Sequence, residues 1–429
     1  MRASFKTIDI AGTVGMLMSG FNERDHGNEG IHDPVQVDAM VIESAGEAFA
    51  LASCDCIGVQ LGSVKEIRQV VSDATGIQPE NILISATHTH SSYQATRYGA
   101  TDFMADSTEK REIDRVYYEL FKAKVAGAII WAYETLEEAH IGYDRSFLEG
   151  LGTNRNDPNG YHDQSVNILK AERPDGSLIG VLVNYSCHPT VLGWQNYLIS
   201  SDYPGYARKL VQQAFPGSTC IFLQGSSGGA STRFTRRGSG GFAEAERLGY
   251  LLGAETIKNV CNSLAVSADQ PIHAQTGDLV LQVKDFGTDE FLLKQIEDET
   301  NHLRQLEADQ ADPKLIRKQY VTLQGAERTY QMKKNIQADH ATSETQVIRF
   351  GDINFVAIPG EPFAEIARDI KAQLGEKTFI AGYANDTLGY LVSKEGLLTD
   401  GYEKFMTAFD ASTHDRIVET AVKLYQDQN

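Results

Sequence analysis

The chain has 429 residues, room for one large domain or two ordinary ones, and 39 Lys+Arg against 58 Asp+Glu give a formal charge of −19. So acidic a chain lacks the clustered cations that nucleic acids and anionic membrane surfaces require. A hydrophobic fraction of 41%, with 38 Gly against 11 Pro, excludes a disordered chain, and no run of about 18 apolar residues is present to span a bilayer.

The N-terminus, Met1-Arg2-Ala3-Ser4-Phe5-Lys6, has no apolar stretch and no small-residue cleavage site, which predicts a cytoplasmic protein. Cys54, Cys56, Cys187, Cys220 and Cys261 are too sparse for a disulfide scaffold or a zinc ribbon and read as structural thiols. Residues 37–43 and 48–54 form two strands around a tight turn, a hairpin. Apolar positions at helical spacing over 64–74, stopped by Gly76, predict a helix, and 81–87 a buried strand. A long helix fits 108–134, and strands fit 165–171 and 179–186. A helix over 203–215, a strand over 219–224 and a helix over 242–263 follow. Residues 288–335 are charged and low in Gly; they predict a helical hairpin broken near Asp312-Pro313, with a solvated face and no part in a site. Strands return at 345–350 and 353–358, then a helix at 361–373, a strand at 377–381 and a helix at 414–426. No internal repeat is visible. The pattern predicts one continuous α/β domain: mixed sheets flanked by helices, with a helical excursion.

Chemistry-bearing residues gather at predicted strand ends, where α/β sheets place their sites. His88 and His90 in Thr87-His88-Thr89-His90-Ser91 are two apart, so in an extended chain they face the same way; a pair of imidazoles suits a transition metal. The same residues also fit a plain polar loop. His188, fixed by Pro189, ends another apolar run, as a third ligand or a hydrogen-bonded structural histidine. Gln224-Gly225-Ser226-Ser227-Gly228-Gly229-Ala230-Ser231 is a small-residue loop that either lets a ligand approach the backbone or simply turns. Glu361, between a strand and a helix, either caps that helix or binds metal. Asp55 either orients a metal-bound imidazole from the outer sphere or forms a turn. Tyr383, Asn385, Tyr390 and Tyr402 lie in a late segment rich in polar aromatics, where packing is the ordinary role.

Taken together these segments resemble the neutral/alkaline (non-lysosomal) ceramidase family. The resemblance runs through Gly30-Ile31-His32-Asp33-Pro34, SATHTHS (85–91), Asn154-Arg155, NYSCHPT (184–190), SDYPGY (201–206), FLQGSSGGAS (222–231), IPGE (358–361) and the tyrosine-rich segment 383–403. It implies a zinc amidase acting on an N-acyl bond, with one zinc held by His88, His188, Glu361 and Tyr402. It further implies that His90 hydrogen-bonds the reacting carbonyl, that Arg155 contacts substrate, and that Ser231 lies beside the metal. Gln224, Gly225, Gly228 and Asn385 would line the substrate site. Gly229 stands where the family carries Asp, and the family's C-terminal immunoglobulin-like domain is not expected here. The implied partner is a small-molecule or lipid amide. A metal hydrolase acting on a small polar ester or lactam is the alternative, and a binding protein that lost the chemistry is a third reading.

Overall fold

The structure, a computed structural model, describes residues 1–21, 23–94, 112–238, 240–399 and 401–428. Its first unit begins with strand β1 (Arg2–Asp9) and the hairpin β2 (Gln36–Ser44) and β3 (Glu47–Cys54). Helix α1 (Leu61–Thr75) then crosses over to strand β4 (Ile82–Ala86), and helix α2 (Glu112–Glu134) follows. β1, β2 and β3 pair antiparallel, while β4 lies parallel to β3, as a helical crossover requires.

The same connectivity occurs twice more. β5 (His140–Phe147), β6 (Ser165–Glu172) and β7 (Leu178–Tyr185) are antiparallel, α3 (Asp202–Ala214) crosses to the parallel strand β8 (Thr219–Gln224), and α4 (Phe242–Asn262) follows. β9 (Ile272–Gln282) pairs with β10 (His340–Phe350) across an inserted hairpin, α5 (Asp289–Ala308) and α6 (Pro313–Asn335). β11 (Ile353–Ala357), α7 (Ala364–Leu374) and the parallel strand β12 (Thr378–Ala381) complete the third unit. Three short or terminal helices close the chain: α8 (Lys394–Leu397), α9 (Tyr402–Met406) and α10 (Thr413–Gln426). The expectation of no internal repeat is thus corrected at the level of architecture. The three units share strand order and crossover, which depend on burial pattern and not on residue identity.

Period-two alternation explains how the units join. Met40 and Ile42 on β2 face a core shared by all three sheets, whereas Ala39 and Val41 face α1 and α2. Leu169, Leu182 and Leu223 from the second sheet enter the shared core; Val181, Val183 and Phe222 turn towards α3 and α4. Phe355 and Phe379 do the same from the third, with Val356 and Ile380 against α7 and α10. Phe355 stacks on Phe379 at 4.9 Å and meets Phe49 of the first sheet at 5.5 Å. Each such buried side chain contributes about 1.5–3 kcal/mol of hydrophobic stabilisation. At Gly180 the first two sheets approach so closely that a Cβ would lie 2.4 Å from the Phe5 ring.

The expected elements occur where periodicity placed them; residues 108–111 of the expected long helix lie outside the described residues. The strands missed are β1, β5 and β9, the first of each unit. Their alternation is broken by charged and polar residues, as in His140-Ile141-Gly142-Tyr143-Asp144-Arg145, so no apolar run announces them. The hairpin at 288–335 forms as two helices, and α6 packs on α9: a Cβ on Gly325 would sit 3.1 Å from Phe405, and the Thr329 hydroxyl donates to Phe405 O at 3.2 Å. The five cysteines are free thiols, and no described helix is long and apolar enough to cross a membrane.

Candidate metal centre

The C-terminal ends of β4, β7 and β11 point at one another, and each delivers a side chain. His88 follows β4 in the left-handed region (φ 65°), a strained conformation held by its N–H on Cys56 O at 3.0 Å. Its Nδ1 donates to Ile57 O at 2.6 Å. A carbonyl only accepts, so Nδ1 carries the proton and Nε2 presents a lone pair. His188 follows β7 in the same way, with Nδ1 donating to Ser227 O at 2.7 Å and its own N–H to Ala230 O at 3.0 Å. Glu361, after β11, places Oε2 3.5 Å from His88 Nε2 and 3.3 Å from His188 Nε2. His90 Nε2 lies 3.2 Å from His88 Nε2, and the ring nitrogens of His88, His90 and His188 fall within 4.8 Å of one another.

Two imidazole nitrogens, each with its lone pair turned inward, and a carboxylate oxygen therefore converge. His88, His188 and Glu361 are each at most 2% exposed, and His188 Nε2 and Glu361 Oε2 have no hydrogen-bond partner among the described residues. Unsatisfied buried acceptors are costly unless a cation joins them. Burial lowers the pKa of both His88 and His188 to about 3, which keeps them neutral, the form a metal binds. Burial pushes the Glu361 carboxyl upward, with His88 and Arg155 opposing. The set fits a transition metal such as zinc.

The Gly-rich loop after β8 locks this arrangement. Gly228 N donates to Pro362 O at 2.9 Å, and a Cβ on Gly228 would stand 2.3 Å from Glu361 O. Gly228→Ala is therefore expected to push the loop off Glu361. It should destabilise the fold by about 1–3 kcal/mol and lower metal occupancy, read by denaturation and by elemental mass spectrometry. Ser231 bridges beside the His188 backbone, and its hydroxyl accepts from Arg233 N at 3.3 Å. Arg155 donates to Gly228 O and, at 2.9 Å, to the Tyr390 hydroxyl, and pairs with Glu403 at 2.6 Å. Burial alone would lower the Arg155 pKa; Glu403 and Tyr390 hold it above its ordinary value. Gln224 donates to Cys187 O at 2.9 Å and to Thr87 O at 3.3 Å, so it ties the two histidine loops together. A Cβ on Gly225 would meet Ser186 Oγ at 2.3 Å.

Three expected roles change. Asp55 touches neither ligand imidazole: it accepts from the Thr87 hydroxyl (3.1 Å), Ser201 (2.9 Å) and Arg208 (2.6 Å), while a backbone carbonyl orients His88. Asn385 is fully buried and spends its amide on Ile84 N (3.1 Å) and Gln346 (2.8 Å), which ties it to neighbouring strands. Tyr402 starts α9 with its ring edge-on to Tyr390 at 6.5 Å. It is Tyr390 that pairs across from Glu361 in adjoining two-residue strands, hydrogen-bonds its carboxylate, and stacks near His188. Tyr383 was also missed as a site residue. It stacks on His88 at 4.0 Å, and its hydroxyl meets Ser227 Oγ at 2.7 Å. Both tyrosines stand in the polar-aromatic segment, but only the fold shows which face the histidines.

Fold and site together define an α/β protein with a buried cluster of histidines and a glutamate that could hold a metal ion. Residues 5–228, more than half of the chain, match the family model described as neutral/alkaline non-lysosomal ceramidase, N-terminal. The chain belongs to that family. It is 26% identical over 218 residues to a neutral ceramidase of Pseudomonas aeruginosa, a match that covers 46% of this chain and 31% of that protein. The crystal structure of neutral ceramidase from Pseudomonas aeruginosa superposes with a TM-score of 0.75 at 18% identity, over 99% of this chain and 74% of the other. A ceramidase complexed with C2 gives 0.76 at 18% identity, over 99% and 75%.

Proposed function

We propose that the chain is a zinc-dependent hydrolase of N-acyl amides, with lipid amides of the ceramide type as its substrate class. The observation that carries this reading is the convergence of His88 Nε2, His188 Nε2 and Glu361 Oε2, three atoms able to donate lone pairs to one ion. Family membership supports the reaction type. The Tyr390 hydroxyl, held by Arg155 beside Glu361, replaces Tyr402 as the fourth donor. A zinc ion so held supplies Lewis acidity to the scissile carbonyl and brings the pKa of a water to about 7.

The chain's own groups do the rest. Water adds across the amide: oxygen bonds to the acyl carbon, the C–N bond breaks, and a proton passes to the leaving amine. His90, second in the His-Thr-His motif, donates to the carbonyl oxygen as negative charge grows there; one such donor is worth about 3 kcal/mol of barrier. Arg155 keeps the Tyr390 hydroxyl and the Gly228 carbonyl in place, and Ser231 fastens the His188 backbone. The test is metal analysis of purified protein followed by hydrolysis of N-acyl amides of rising chain length, with a small ester and a lactam in parallel. One zinc per chain and turnover that favours long acyl chains are expected. A zinc-loaded protein that cleaves only the ester or lactam would transfer the site to a polar substrate.

A further inference from the structure

The stretch 17–21, with Arg24 beyond it, packs over His90, and no role has been assigned to it so far. It is tied at one end by strand-like pairing: Ser19 N donates to Ser92 O at 3.1 Å, and Gln94 N to Leu17 O at 3.0 Å. Gly20 (φ 101°) lies so close that a Cβ would stand 2.5 Å from His90 Cγ, and the Phe21 ring sits 4.9 Å from the imidazole. At the other end is Arg24. Its Nη1 donates to His90 O at 2.7 Å and to Ser19 O at 2.8 Å, and its Nε to Asn196 O at 3.1 Å. The guanidinium also lies over Phe21 at 5.0 Å.

This is an unusual use of an arginine. A desolvated guanidinium ordinarily faces a carboxylate. Here every acceptor is a neutral carbonyl, and no ion pair to Arg24 occurs among the described residues. Burial is severe enough to lower its pKa to about 10. A strap that only needed to hold two loops together would not require a charge. What the fork geometry adds is a fixed relation between three main-chain carbonyls, one of them that of His90.

We propose that Arg24 is a positioning residue for His90: it clamps the His90 main chain while Gly20 and Phe21 wedge the ring, so that the imidazole faces the reacting carbonyl. The proposal rests on the hydrolase reading above for its kinetic consequence but not for its structural one. A displacement of the order of 1 Å at a catalytic group costs about 10²-fold in rate. Arg24→Ala is expected to keep its zinc and its thermal midpoint while kcat falls about 10²-fold and KM changes little. Millimolar guanidinium chloride should restore part of the loss. Arg24→Lys should not restore it, since one ammonium cannot span carbonyls on three segments.

The turnover-independent readout is the His90 imidazole signal in the NMR spectrum, assigned with His90→Gln. It should shift and broaden in Arg24→Ala and return with guanidinium, even if none of the amides tested is hydrolysed. An unchanged His90 signal and an unchanged kcat would overturn the proposal. So would a kcat that falls only in step with zinc content and thermal midpoint and resists guanidinium, which is the behaviour of a fold strap. If Arg24→Ala does not fold, Arg24→Lys decides on the same two readouts, with loss of kcat and a displaced His90 signal expected.

Discussion

His188→Ala is expected to remove the metal and lower amide hydrolysis by about 10³-fold or more, the cost of losing several kcal/mol of charge stabilisation. The residue has no redundancy. Its Nδ1 is committed to Ser227 O, its Nε2 is one of three converging lone-pair donors, and it is 1% exposed. With alanine there, His88, Glu361 and Tyr390 remain, a site short of one imidazole whose walls are set for four donors. A second readout needs no substrate. A metal that binds only the folded chain stabilises it by about 2.7 kcal/mol at a hundredfold excess over Kd. Added zinc should therefore raise the thermal midpoint of the wild type and leave that of His188→Ala unmoved. A variant that keeps stoichiometric zinc and turnover would show that the centre lies elsewhere.

Arg208→Met should be the most destabilising of the changes considered, at about 3–5 kcal/mol near neutral pH, because it strands two buried carboxylates. Arg208 on α3 reaches Asp38 on β2 at 2.8 Å and Asp55 beyond β3 at 2.6 Å, all within the interior, and so couples the first unit to the second. Burial raises the Asp38 carboxyl above its ordinary value, with Arg208 pulling it down and Asp55 pushing it up. A carboxyl raised in the fold favours folding in acid, and that contribution fades as pH climbs past about 4 through the folded value. Losing Arg208 removes the main opposing charge, so the loss should be small in acid and grow towards neutrality. Urea midpoints at pH 4 and pH 7 test this. A loss below about 1 kcal/mol at pH 7, or one that does not vary with pH, would contradict the stranded-carboxylate account.

Much of this architecture could be read from the sequence because the informative residues sit where a strand stops. The polar run after Ile82–Ala86, the His188-Pro189 pair after β7 and Glu361 after β11 each break an apolar pattern, and that break is local. What failed was of longer range. Asp55, just past a strand, reads as an imidazole's outer partner or a turn residue, but the partner of His88 is Ile57 O, and the carboxylate pairs with an arginine 153 residues away. Tyr390 and Tyr402 are indistinguishable as letters; the pairing of Glu361 with Tyr390 in two-residue strands separates them. Arg24 carries no signal at all, since its value lies in three carbonyls, two of them on distant segments. The threefold recurrence is not legible in the letters because it lies in strand order and crossover.

Because each unit contributes one arm of the centre, the order of synthesis matters. His88 leaves the ribosome with the first unit, His188 with the second, and Glu361 and Tyr390 only with the third. A nascent chain that lacks the third unit therefore lacks the full proposed ligand set, and loading in the final geometry would follow synthesis of all three units. Failure of any one unit leaves the protein without its centre, so metal occupancy reports on the integrity of all three at once.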